Sequence, residues 1–166
     1  NALGNAWFIK ELQVVENGDQ EIKGLSTINT SKTALIKKEN ASYSATKSFT
    51  GEGQISLTSY APNKLVYNST SSSDQFAVFS DMYYRDGKDW KVTIDGSETD
   101  HTRVNYVLRA MNVPSGNHEI VFEFRPASFY TGETISLIGS IIFVVLLAGV
   151  IFISVKKNDT QEEIID

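Results

Sequence analysis

The sequence contains no cysteine among its 166 residues. Disulfides, thiolate metal sites and thiol chemistry are therefore excluded, and the redox state of the compartment stays open. Only two histidines occur, His101 and His118. His101 with the neighbouring Asp100 is a possible metal pair, yet no third ligand stands at a sensible spacing. An excess of positive charge is also lacking: 15 Lys and Arg face 20 Asp and Glu, a net charge of −5. Nucleic-acid binding then has no electrostatic support. There is no Gly-x-Ser-x-Gly, phosphate loop or dinucleotide fingerprint. Neither Met nor a basic, apolar leader stands at Asn1; either a signal peptide has been removed or earlier transmembrane segments lie upstream, and the expectation is the second, a C-terminal fragment.

The composition itself is globular, at 41% apolar, 11% aromatic and 21% charged residues, which excludes a wholly disordered or collagen-like chain. Its average hides an uneven distribution. From Ile135 to Val155 no charged residue occurs over 21 positions. As a helix this run measures about 32 Å, against about 30 Å for a bilayer core. Lys156 and Lys157 follow it directly, whereas Glu133 and Arg125 are the nearest charges upstream. The positive-inside rule then puts the tail in the cytoplasm. The expected organisation is an extracytoplasmic domain over residues 1–134, a transmembrane helix over 135–155 and a cytoplasmic tail over 156–166.

The segment before the apolar run reads as β structure. Ile120, Phe122 and Phe124 alternate with Glu119, Glu123 and Arg125, and Trp90, Val92 and Ile94 alternate with Lys91, Thr93 and Asp95. A period of two is that of a half-buried antiparallel strand. Further strands are expected at Asn5 to Val15, Thr33 to Lys37, Gln54 to Tyr60, Lys64 to Ser69, Gln75 to Met82 and Arg103 to Val113. Asp19 can cap a short helix carrying Ile22 and Leu25 on one face. Asp95-Gly96 suits a tight hairpin turn with positive φ, and Pro114-Ser115-Gly116-Asn117 a proline-initiated turn. Seven or so short strands between such turns predict a mainly β fold, an antiparallel β-sandwich of jelly-roll or immunoglobulin-like type, followed by the single C-terminal helix.

Chemistry needs a nucleophile with a base, a metal cluster, or paired carboxylates in a pocket, and no catalytic, cofactor-binding or metal residue is assigned. Asp81 and Asp86 flank Tyr83-Tyr84-Arg85 and can hold a hydroxylated ligand, although carboxylates near a strand end more often sit in solvated turns. Tyr83, Tyr84 and Trp90, with Tyr106 near them, are the candidates for contact with a glycan, because sugars stack on exposed rings. The competing reading places these rings in the core and rim of the sandwich, where Tyr and Trp bury the ring and wet the polar tip.

Several segments carry a resemblance. Asn1-Ala2-Leu3-Gly4-Asn5-Ala6-Trp7-Phe8, Ile55 to Leu65 and Ser80-Asp81-Met82-Tyr83-Tyr84 are similar to segments of the YfhO-like family of bacterial membrane proteins. So are Trp90 to Gly96, Arg103 to Ala110, Val113 to Ile120, Phe124-Arg125-Pro126 and Tyr130-Thr131-Gly132. Asp86-Gly87-Lys88-Asp89 departs from the family pattern, which has a shorter Pro/Gly turn there. The resemblance implies a polytopic, glycosyltransferase-C-like protein that uses polyprenyl-phosphate sugars at the outer face of the cytoplasmic membrane. Its catalytic carboxylate would lie in an early loop outside this sequence, so no catalytic residue carries over.

On that footing the expected role is an accessory module and anchor of a lipid-linked sugar transferase of the cell envelope. The lipid bilayer, the N-terminal transmembrane part of the same protein and an envelope glycan are its expected partners, and no cofactor is implied. A single-pass surface binding protein is the alternative, as is a scaffold whose helix assembles through Gly139, Ser140, Ala148 and Gly149.

Overall fold

Among residues 2–162, which this computed structural model describes, apolar residues alternate or run together between turn residues to give eleven strands. Strands predominate, in antiparallel sheets, with one C-terminal apolar helix. Five strands form an antiparallel sheet in the order β4 (Gly53–Ala61), β5 (Lys64–Ser71), β11 (Gly116–Phe124), β7 (Trp90–Ile94) and β8 (Ser97–Thr99). Four more, β1 (Ala6–Phe8), β6 (Gln75–Met82), β10 (Leu108–Val113) and β9 (Thr102–Val104), form a second antiparallel sheet in that order. A two-stranded parallel ribbon joins β2 (Glu11–Val15) to β3 (Thr33–Lys37).

Side-chain parity assembles these layers. Leu65, Tyr67, Val92, Ile120 and Phe122 of the larger sheet meet Ala6, Ala77, Phe79, Met111 and Val113 of the smaller one. On the opposite face of the smaller sheet, Phe76, Val78, Val104 and Ala110 pack with Ile9, Leu12, Ala34, Ile36 and Phe49. The four-stranded sheet is thus covered on both sides, which explains why β6 reads Phe76-Ala77-Val78-Phe79 without polar alternation. β11 and β7, covered on one side, do alternate. Tyr67, Phe79 and Phe122 form an edge-to-face trio between the sheets, at centroid distances of 4.9, 4.9 and 6.1 Å. Each such contact adds roughly 0.5–1.5 kcal/mol beyond the area it buries.

Two expected strands are each broken. Asn5 to Val15 gives β1 in one sheet and β2 in the ribbon, because the chain changes layer at Ile9, whose amide donates to Phe76 O (3.1 Å). Arg103 to Val113 is interrupted at Asn105 and Tyr106, with φ of 49° and 73°. Asn105 donates its amide to Leu35 O (2.9 Å) and accepts from Leu35 N at Oδ1 (2.8 Å), so it serves as a pairing partner for β3. Asparagine tolerates this left-handed backbone better than most side chains.

The turns at Asp95-Gly96 (φ 50° and 80°) and Gly116 (φ 121°) have the positive φ expected of them. α1 (Gly18–Gly24) is capped by Asn17, which accepts from Gln20 N (3.0 Å), and not by Asp19. It buries Glu21 and leaves Ile22 49% exposed. Burial pushes the Glu21 carboxyl up, while the Tyr106 amide and Arg103, 3.6 Å away, favour its charged form.

α2 (Ala127–Glu162) is one continuous helix that begins upstream of the charge-free run. Ala127–Ile153 is long and apolar enough to cross a membrane. The sandwich and this helix belong to separate compact units, Asn1–Arg125 and Pro126–Asp166. Residues 163–166 of the expected tail lie outside the described residues.

Candidate functional site

A cleft of about 510 Å³ opens where β6 ends and β7 begins. Its walls come from the 3-10 turn Lys38–Tyr43, the segment 83–92 and the connection running from β8 into β9. Tyr83 and Trp90, two of the three candidate aromatics, line it together with Asp86, Asp100 and His101. Tyr84 is 51% exposed and lies outside these walls. Tyr106 is elsewhere too, with its ring beside Gly18 and under the Arg103 guanidinium (5.8 Å).

The turn before Trp90 shapes the floor. Asp86 and Gly87 take φ of 54° and 75°, and a Cβ on Gly87 would stand 3.0 Å from both the His101 and Tyr83 rings. Only glycine combines that backbone with that approach. Tyr83 donates from Oη to Asp86 O (3.0 Å), and its ring meets His101 edge-on at 5.2 Å. On the far wall Tyr43 donates from Oη to Asp100 O. Burial pushes the Tyr43 and Tyr83 hydroxyls up, so both remain protonated donors at neutral pH.

Trp90 is held from behind. The Arg109 guanidinium lies 3.9 Å from the centre of its ring, and Phe124 packs on it at 5.2 Å. Arg109 is 3% exposed and donates from Nε to Met82 O (2.9 Å). Sequence reasoning missed this residue, yet its position in β10 carried a signal. Arg109 shares strand parity with Met111 and Val113, both of which face the core. Asp81 is likewise structural: it accepts from the Tyr67 hydroxyl at 2.8 Å.

Glu98 and Glu39 on the rim are paired to Lys91 (2.8 Å) and Lys37 (2.5 Å). Among the described residues no group of three or more His, Asp or Glu side chains is placed to hold a metal ion. The cleft thus offers the Tyr83 and Trp90 rings and hydroxyl oxygens whose own protons are already donated to Asp86 O and Asp100 O, beside a rim of paired carboxylates.

The two histidines respond to pH with opposite signs. Burial, aided by the Arg109 charge and opposed by Asp100, holds His101 down to about 4. His118 is raised by its 2.6 Å bond to the Asp95 carboxylate and by Ser115 O. An unfolded chain protonates His101 near 6.5, whereas the folded chain resists until about 4. Its contribution is therefore full above 6.5 and is lost as pH falls towards 4, by about 3 kcal/mol. The raised His118 contributes below 6.5 and loses that contribution as pH rises through its folded value, and its surface position keeps the effect small. The denaturation midpoint should drop between pH 6.5 and 4.5, and His101→Gln should flatten that drop while His118→Gln does not. An equal drop in His101→Gln would assign the pH dependence to other groups.

No curated protein and no solved structure matches the chain. The family model for bacterial membrane protein YfhO matches residues 23–136, from the end of α1 through β3 to β11 and into α2, and the chain belongs to that family.

Proposed function

We propose that this chain is the extracytoplasmic accessory module and membrane anchor of a polytopic YfhO protein that transfers sugars from polyprenyl-phosphate donors to cell-envelope polymers. Membership of a membrane-protein family supports the anchor, and the cleft holding Tyr83 and Trp90 supports the contact with a glycan. The sandwich then presents acceptor polymer to a donor site supplied by the transmembrane part of the same protein. Lys156 and Lys157 after the apolar run favour a cytoplasmic C-terminus and put the sandwich outside. His101, neutral at physiological pH, adds polarity to the cleft and no charge.

The test is a sugar-transfer assay on membranes carrying the full parent protein, this chain alone, or the parent with residues 5–130 deleted. Transfer by the parent, none by this chain and a large loss in the deleted parent are expected. In the parent, Trp90→Ala should raise the acceptor concentration needed for half-maximal rate and leave the donor requirement alone. Activity of this chain alone would overturn the accessory role, and full activity of the deleted parent would show the sandwich dispensable.

A further inference from the structure

Outside α2, four of the seven exposed large apolar side chains among the described residues lie together, the other three being Val14, Ile22 and Tyr60. Met82, Tyr84, Tyr106 and Val107 are 61%, 51%, 40% and 40% exposed. They lie on two segments bonded to each other, with Tyr83 N donating to Val107 O (2.7 Å) and Leu108 in register with Met82. This is also the end of the sandwich from which the chain leaves. Arg109 next to this tip stacks on Trp90, Trp90 packs on Phe124, and Arg125 N donates to Asp89 O (2.7 Å). Only Pro126 separates Arg125 from α2. At the other end of β11, Gly116 is in register with Ser71, and the neighbouring chain reads Ser72-Ser73-Asp74 and Ser115.

We propose that the Met82, Tyr84, Tyr106 and Val107 tip rests in the interfacial layer of the lipid bilayer, so that the sandwich is seated on the membrane surface as well as tethered to it. Tyrosine suits that layer because its ring is apolar and its hydroxyl stays hydrated. A weak surface suffices, since a short tether raises its effective concentration at the lipid. Lys88, Arg103 and Arg125 are interspersed along the chain here with Asp86, Asp100 and Glu123, so the contact rests on apolar burial and does not require anionic lipid. A protein surface covering the same tip is the competing occupant. The chain leaves the sandwich at this end and only Pro126 precedes an apolar helix, which favours lipid. Nothing in this inference depends on sugar transfer.

The chain has no cysteine, so an environment-sensitive fluorophore can be placed uniquely at Tyr84→Cys, Val107→Cys or, as a control at the polar end, Ser115→Cys. All three positions are exposed, and unchanged thermal unfolding verifies that the fold survives labelling. The full chain is reconstituted in zwitterionic nanodiscs whose lipids carry bromine high on the acyl chain. Quenching by the brominated lipid should be several-fold stronger at 84 and 107 than at 115, and aqueous iodide should quench them less. Equal iodide quenching at all three positions would overturn the proposal. Protection of 84 and 107 from both quenchers would also overturn it, by showing that protein covers the tip.

Discussion

Arg109→Ala should lower the unfolding free energy of the sandwich by about 3 kcal/mol, with chemical denaturation as the measurement. The guanidinium lies between the sheets, 3.9 Å from the Trp90 ring centre and 5.4 Å from that of Phe122, and Nε donates to Met82 O. A desolvated cation over an indole contributes about 2 kcal/mol, and a charged hydrogen bond about 1.5–3 kcal/mol. Truncation also opens a cavity against two aromatic rings. Opposing these losses is the cost of burial, which lowers the Arg109 pKa, and Nη1 has no hydrogen-bond partner among the described residues.

Two further substitutions separate packing from charge. Arg109→Met keeps most of the volume and removes the buried cation, so it should cost at most about 1 kcal/mol, since volume-conserving swaps cost little and apolar replacement of buried charge is often neutral. Arg109→Lys keeps a charge but loses the planar stack and the Nε bond, and should fall between Met and Ala. If Lys preserved full stability while Met cost as much as Ala, the positive charge itself would be the stabilising element. In the Ala variant the Trp90 ring loses its backing, so the near-ultraviolet circular dichroism of the tryptophans should weaken before global unfolding.

Much of the sandwich was legible because strand parity and turn chemistry agree locally. β3, β6 and β7 begin and end where the sequence pattern places them, each bounded by residues that either break alternation or turn the chain. The third layer was hidden for a physical reason: pairing of β2 with β3 in parallel is a long-range choice, and neither strand's own pattern names its partner. Asn105 was hidden similarly, since its left-handed backbone is stabilised by Leu35 of a distant strand. For the cleft, adjacency in sequence misled in one case and served in another. Tyr83 and Tyr84 are neighbours, but Tyr83 turns to His101 while Tyr84 is outside the walls. Trp90 joins Tyr83 because the left-handed turn at Asp86-Gly87 reverses the chain between them. Arg109 escaped because a charge inside a β run reads as a solvent-facing position unless its parity is followed, and His101, weighed only as a metal partner of Asp100, reaches the cleft from the connection between β8 and β9.

Truncation after Glu133 should move the protein from the detergent fraction to the aqueous phase, the largest effect expected of any single change. α2 exposes its apolar side chains all round, from Ile135 at 65% to Ile153 at 68%, as a helix solvated by lipid does and one packed in a soluble core does not. With both ends included, this stretch holds fourteen Leu, Ile, Val and Phe, each favouring insertion by about 0.3–0.6 kcal/mol at the membrane centre, or about 4–8 kcal/mol together. One arginine at the centre opposes this by about 2.5–3.5 kcal/mol. Val145→Arg should therefore weaken insertion but leave most of the protein in the membrane. Arginine at Ile141, Val145 and Phe152 together should release it, because the three penalties, about 7.5–10.5 kcal/mol, exceed the about 3–7 kcal/mol of the eleven apolar residues that remain. Phase partition and alkaline extraction of membranes read the outcome directly. If the triple variant stayed membrane-bound, attachment would come from a surface other than α2. If the full chain partitioned into water with α2 intact, the helix would not be an anchor at all.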